Sequence, residues 1–232
     1  MQKVPTGIKG FDKITYGGVP RGTVTLVLGP PKSGKTIFSA QFLMGGIIES
    51  NEPGVFITFS DTPESIIKNM GLFDWDVLNC MKKGLWEFVD VSFNLEESLE
   101  FSGDYDLEGL LIQIRMAIEK IKAKRIILDS INLLFQRYPN SEIIKSEIIR
   151  IKSWLESLSV TSIITNQLDE EIDEESCYNI ANYTCDNVIL LKNLLYKEPS
   201  RRTVEILKFQ GNNFQKGKHL FSIEDRRGIF II

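Results

Sequence analysis

Histidine is almost missing from this chain: His219 stands alone among 232 residues, and the three cysteines, Cys80, Cys177 and Cys185, show no CxxC spacing. A metal site built from His and Cys is therefore not expected. An odd number of cysteines without a leader suits free, inert thiols better than a disulfide framework. The opening Met1-Gln2-Lys3-Val4-Pro5 lacks the apolar run of a signal peptide, and no apolar run approaches the roughly 20 residues of a membrane span. The expectation is a cytoplasmic protein with no membrane segment. A basic excess is missing too. With 27 basic and 31 acidic residues the net charge is −4, the wrong sign for wrapping nucleic acid non-specifically. No low-complexity linker and no internal repeat divides the sequence.

What is present is alternation. Apolar, β-branched runs bounded by turn residues recur at Val24–Leu28, Gly54–Phe59, Trp86–Val91, Arg125–Leu128, Thr161–Thr165 and Asn187–Leu191. Such runs read as strands buried on both faces. Between them lie helical patterns at Thr36–Ile48, Pro63–Met70, Leu107–Ile121 and Glu142–Leu158. Strand–helix alternation predicts an α/β fold with a mostly parallel central sheet flanked by helices. The tail differs: Thr203–Phe209, His219–Ile223 and Gly228–Ile232 are strand-like and separated by turns, which predicts an antiparallel extension. Residues 1–232 are read as one domain with an elaborated C-terminal edge. The strand-like ending Ile229-Phe230-Ile231-Ile232 leaves open whether a second domain follows. Trp75, Trp86 and Trp154 are expected in the core, and His219 as a packing residue of an edge strand.

The strongest motif is Gly29-Pro30-Pro31-Lys32-Ser33-Gly34-Lys35-Thr36, a complete G-x-x-x-x-G-K-[ST], placed after a predicted strand and before a predicted helix. Glycines let the backbone curl so that successive N–H groups face a phosphate, and the following helix adds its positive N-terminus. Lys35 is the residue that reaches the β/γ-phosphates, and the Thr36 hydroxyl ligates magnesium. The acid needed to hold the magnesium shell is supplied by Arg125-Ile126-Ile127-Leu128-Asp129, a strand that ends in a carboxylate. The ligands implied are ATP and Mg2+.

With these motifs placed, further segments resemble the KaiC family of the RecA superfamily. They are Thr6-Gly7-Ile8-Lys9-Gly10-Phe11-Asp12, Gly17-Gly18-Val19-Pro20-Arg21-Gly22, Asn51–Phe59, Thr62–Asn69 and Arg202–Lys208. The likeness covers nearly the whole chain and is nearer to the N-terminal than to the C-terminal KaiC domain. It implies a RecA-like P-loop ATPase forming a homohexameric ring, with ATP bound between subunits and a small clock-type protein as a possible partner. Lys32 to Ile37 match the family's nucleotide loop, and Asp129 matches its Walker B acid. Lys208 matches the lysine that reaches across to the neighbouring subunit's phosphates, with Phe209 and Gln210 beside it. Without the resemblance, Lys208 reads as a solvated surface charge. Asp225 falls in the family's edge contact to the neighbour's nucleotide, although a turn aspartate is an equal reading.

The departures bear on chemistry. Gln210 replaces an arginine, and Phe214 a histidine, of the family. The trans site thus loses a planar charge suited to a transferring phosphoryl group. Two adjacent glutamates after the second strand, one of them the base for the attacking water, are here Ser60 and Asp61. Serine is no base unaided, and aspartate is one methylene shorter; about an ångström of misplacement costs on the order of a hundredfold in rate. Alternatively, Ser60-Asp61-Thr62-Pro63 opens a helix, with Asp61 or Thr62 as N-cap. The expectation is that ATP binds and is hydrolysed slowly or not at all. The family's autophosphorylated Ser-Thr pair is here Asn182 and Tyr183, so autokinase activity is not expected.

Two other classes compete. A nucleotide-locked ring serving as a non-catalytic scaffold follows from the Ser60/Asp61 change. A DNA-repair accessory ATPase of the RecA/RadA kind is disfavoured, because the stretch that would face DNA, Asp169-Glu170-Glu171-Ile172-Asp173-Glu174-Glu175, carries six carboxylates in seven residues. Arg201, Arg202, Arg226 and Arg227 could line another face for that purpose.

Overall fold

Period-two alternation of aliphatic residues on both faces builds a nine-stranded sheet at the centre of the computed structural model, which describes residues 2–91, 107–135, 141–168, 185–194 and 201–232. On β3 (Val24–Gly29), Val24, Leu26 and Leu28 point to one core and Val27 to the other. The same split separates Val55 and Ile57 from Phe56 on β4 (Gly54–Thr58), and Ile126 and Leu128 from Ile127 on β6 (Arg125–Asp129). Both faces are therefore covered, as parallel strands require.

The chain begins with a small two-stranded pair, β1 (Lys3–Val4) and β2 (Val19–Pro20), around the short α1 (Phe11–Ile14). After β3 comes α2 (Lys35–Ser50), then β4, α3 (Pro63–Met70), a single 3-10 turn at Gly71–Phe73, α4 (Val77–Lys82) and β5 (Trp86–Asp90). Helix α5 (Leu107–Ile121), β6, α6 (Asn132–Phe135) and α7 (Ser141–Ser157) follow. The remaining strands are β7 (Thr161–Gln167), β8 (Asn187–Leu194), β9 (Arg201–Phe209), β10 (Lys218–Glu224) and β11 (Gly228–Ile231). The sheet order is β11-β10-β9-β8-β3-β7-β6-β4-β5. Pairings from β8 to β5 are parallel, and those among β8, β9, β10 and β11 are antiparallel. The mixed α/β architecture, with a mostly parallel sheet flanked by helices and an antiparallel extension, is the one the patterns predict. It is consistent with a RecA-like P-loop ATPase domain.

Helix α2 is buried along most of its length, and its packing explains two interior glycines. A Cβ on Gly45 would stand 2.7 Å from Gly7 Cα, and one on Gly46 would stand 2.2 Å from Arg125 Nε. Arg125, at the start of β6, is fully buried. Its Nε donates to Glu52 at 2.8 Å, Nη1 donates to the carbonyls of Pro5 and Phe42, and the guanidinium lies 4.5 Å over the Phe42 ring. Of the tryptophans, Trp86 is fully buried, while Trp75 and Trp154 are half-buried and pack against the core from its rim. His219 is half-buried on β10 opposite Val204, its Nε2 3.3 Å from the Gln215 carbonyl. Cys80 is half-buried, with burial pushing its thiol pKa up, and Cys185 is buried; Cys177 lies outside the described residues. Among the described residues no helix is long and apolar enough to cross a membrane.

Candidate functional site

The carboxyl ends of β3, β7, β6 and β4 meet at one edge of the sheet, and parallel register sets what stands there. Gly29 is level with Gln167, and Thr58 is level with Asp129. The chain leaves β3 through the loop Pro30–Gly34 into α2. Lys32 and Gly34 take left-handed backbone conformations, with φ +62° and +100°. A Cβ on Gly29 would stand 2.5 Å from Ser33 Oγ and 2.7 Å from the Leu191 carbonyl, so only glycine lets the loop close this tightly.

The curl draws two opposite charges out of water. Lys35 is 8% exposed, and its Nζ donates to the carbonyls of Gly29 and Pro30, both at 2.9 Å. Burial pulls the ammonium pKa down, while the charge of Asp129 pushes it back up. Asp129 is 2% exposed at the end of β6. Its carboxylate accepts a hydrogen bond from the Thr36 hydroxyl at 2.8 Å and another from the Thr165 hydroxyl on β7. Burial raises the Asp129 pKa; the two hydroxyls and Lys35 oppose the rise, and the nearby charge of Asp61 adds to it. Thr165 escaped the sequence reading, although a hydroxyl at the end of a buried strand beside Asp129 was the available signal.

Ser60 and Asp61 are exposed just past β4. Thr58 Oγ1 donates to the Asp61 carbonyl at 2.5 Å, which folds this corner toward Asp129. The cap of α3 is Thr62, whose hydroxyl accepts from Ser65 N at 3.3 Å with Pro63 in the first turn. Of the two candidate caps, the structure selects Thr62; the Asp61 side chain is not used for that purpose.

A cavity of about 530 Å³ opens in front of the loop. Lys32, Gly34, Lys35, Thr36 and Ile37 form one side, Leu72, Phe73 and Ile223 an apolar side, and Arg202 and Asp225 complete the rim. Asp225 lines the cavity of its own chain, because the β10–β11 turn folds back over α2. One sequence reading is corrected here. Arg202 likewise lines this cavity rather than another face, because antiparallel β9 begins at the carboxyl end of the sheet. Arg226 and Arg227 do lie elsewhere, paired with Asp74 at 3.6 Å and Glu224 at 3.1 Å. Lys208, Phe209 and Gln210 are not brought to this cavity. Lys208 is opposite Val188, level with Leu26, about 10 Å short of Gly29 along the strand direction and two strands away. A register shift between Val188 and Ile189 inserts an extra residue in β9 there, so Phe209 returns to the core face that holds Val204 and Ile206.

The residues suit a magnesium nucleotide. The tight loop presents backbone N–H groups and a buried ammonium, and the buried Ser33 Oγ has no hydrogen-bond partner among the described residues. Thr36 and Asp129 offer two adjacent oxygens, the small protein share typical of magnesium held mainly by phosphates.

The KaiC ATPase family model matches residues 4–232. The chain belongs to the KaiC family. It is 42% identical over 232 residues to the circadian clock protein KaiC3 of Synechocystis sp., covering 100% of this chain and 46% of that one. It is 40% identical over 230 residues to the circadian clock oscillator protein KaiC of Thermosynechococcus vestitus, covering 99% of this chain and 44% of the relative. The Synechococcus elongatus KaiC is 41% identical over 223 residues, 96% of this chain and 43% of that protein. The chain thus spans under half the length of the curated KaiC relatives it matches. The acidic stretch 169–175, which bears on DNA binding, and the Asn182–Tyr183 pair, which bears on autokinase activity, lie outside the described residues.

Proposed function

We propose that this chain binds MgATP as a KaiC-type ATPase unit of a homohexameric ring, and hydrolyses it slowly. The observation that carries the reading is the buried Lys35–Thr36–Asp129 cluster at the mouth of a cavity of nucleotide size. Phosphates meet the loop N–H groups and Lys35, and Lys32 and Arg202 add positive charge at the rim. The Thr36 hydroxyl and Asp129 would hold and orient magnesium, which would supply neutralisation of the phosphate charge. The placement of Lys208, Phe209 and Gln210 away from their own cavity supports their serving a neighbour's nucleotide. By the family likeness Ser60 and Asp61 take the positions of the base for the attacking water, at the corner that the Thr58 hydroxyl ties to the Asp61 carbonyl. Asp61 is the one of the two that carries a carboxylate, which supports it, rather than Ser60, as the base. The clock pathway named for the relatives, and a small clock-type partner, extend this reading to the whole protein.

The test is steady-state phosphate release. The double change Ser60→Glu with Asp61→Glu should raise turnover at least tenfold and leave MgATP affinity within about twofold, because it restores a base without touching the phosphate loop. Turnover in the unaltered chain equal to that of the double variant would refute slow hydrolysis. A second reading, a nucleotide-locked scaffold, rests on Ser60 itself; ring formation with ATP but no phosphate release even after long incubation would select it.

A further inference from the structure

Helix α2 carries an amide where its packing calls for an apolar residue. Gln41 is 5% exposed, one helical turn beyond Ile37, among Phe38, Phe42 and Met44. Its Nε2 donates to the carbonyls of Gly7 at 3.1 Å, Ile229 at 3.2 Å and Arg227 at 3.4 Å, and its Oε1 accepts from Ile229 N at 2.7 Å. Burying an amide carries a desolvation cost that a leucine would not. Its hydrogen bonds offset that cost by satisfying backbone groups of the segments packed around it.

The amide joins three separate segments: the N-terminal turn at Gly7, the helix that begins at Lys35, and the β10–β11 hairpin. That hairpin is one wall of the nucleotide cavity, through Ile223 and Asp225. Its turn is also tied to the apolar side, since Arg226 N donates to the Leu72 carbonyl at 3.0 Å. Gly228 is wedged at the joint: a Cβ there would stand 2.5 Å from Gln41 Oε1 and 2.7 Å from Trp75 Cζ2. The wall already touches the phosphate loop, with Ile223 Cδ1 3.1 Å from where a Cβ of Gly34 would be. Gln41 is thus the side chain that ties the hairpin directly to the helix carrying the loop, alongside the pairing of β10 with β9 and the Arg226–Leu72 backbone bond.

We propose that Gln41 is a positioning residue for the nucleotide. It holds the hairpin wall against the helix that carries the phosphate loop, and so governs binding of the base and ribose rather than of the phosphates. The inference rests on the nucleotide reading above. Phosphates are gripped by groups whose placement Gln41 does not control, namely the loop N–H groups, Lys35 and Thr36. The remainder of the nucleotide needs the wall at its present distance.

The experiment compares two probes, MgATP and magnesium tripolyphosphate, by calorimetric titration of the intact chain and of Gln41→Leu. For the variant, ATP affinity is expected to fall at least tenfold while tripolyphosphate affinity stays within about twofold. Equal losses for both probes would reduce Gln41 to a general structural role, and no loss for either would end the proposal. Hydrogen exchange at the Ile229 amide of the unaltered chain supplies a second measurement that does not depend on the folding of Gln41→Leu. Exchange should slow with ATP and stay unchanged with tripolyphosphate; identical exchange with both ligands overturns the inference. If the unaltered chain binds tripolyphosphate but shows no preference for ATP, the wall has no ligand to position and the inference falls while the phosphate loop stands. If it binds neither, the nucleotide reading itself falls.

Discussion

A carboxylate as deeply buried as Asp129 is unfavourable unless something answers its charge. Two hydroxyl donors and the Lys35 ammonium do so in part, yet its pKa remains raised. The sign of the consequence follows from linkage. A folded-state pKa above the unfolded one means that the folded chain binds the proton more tightly. The penalty is absent below the unfolded value, about 3.9, and grows as pH climbs through the folded value. Asp129→Asn should therefore raise the melting temperature of nucleotide-free protein at neutral pH, with the gain shrinking toward pH 4. The same change should remove most of the magnesium dependence of ATP binding, a loss of at least tenfold or about 1.4 kcal/mol. Thermal melts across pH and titrations with and without magnesium check both parts; a variant less stable at every pH would show that Asp129 is mainly a fold residue. Sequence made Lys35, Thr36 and Asp129 legible because motif and strand end coincide. It gave Arg202 to another face and left Thr165 unassigned, because nothing local to a strand residue says which cavity it meets.

At the scale of elements, helix α2 carries the phosphate loop and is held by close backbone approach. Interior glycine costs a helix about 1 kcal/mol relative to alanine, so Gly46 should be improvable if it did nothing else. It does something else: the Arg125 guanidinium fills the space a methyl group would need, and Glu52 and the Pro5 and Phe42 carbonyls fix that guanidinium. Gly46→Ala should destabilise the chain by about 1–3 kcal/mol, the usual range for overpacking, measured by urea unfolding. A gain in stability would mean that Arg125 moves freely. Helix starts show the limits of sequence at this scale. Ser60-Asp61-Thr62-Pro63 announces a cap, but which side chain performs it depends on where Thr58 holds the Asp61 backbone, and that is a contact between a strand end and a loop.

At the scale of the molecule, Lys208 lies toward the amino end of the sheet and the phosphate loop at the carboxyl end. If a neighbour's Lys208 completes each site, Lys208→Ala should leave ATP affinity of the isolated chain nearly unchanged but weaken ATP-dependent assembly at least tenfold. Light scattering across protein concentrations, with and without MgATP, reads this directly; assembly unaffected by the change would assign Lys208 to the surface only.

The short β1, β2, α1, α4 and α6 escaped the sequence reading; the sequence alone determined the order of the nine main-sheet strands and the four longer helices, the phosphate-loop motif and the carboxylate that ends β6. Each is encoded locally, by period-two and helical patterning or by the steric demands of a loop curling around phosphate. The family likeness rested on equally local motifs. Only the tertiary structure decided that Asp225 and Arg202 share their own chain's cavity, that Thr62 rather than Asp61 caps α3, and that Gln41 pins the cavity wall. These depend on how an antiparallel hairpin folds back across a parallel sheet, and such long-range placement is set by packing between segments nearly 190 residues apart, not by any pattern within one of them.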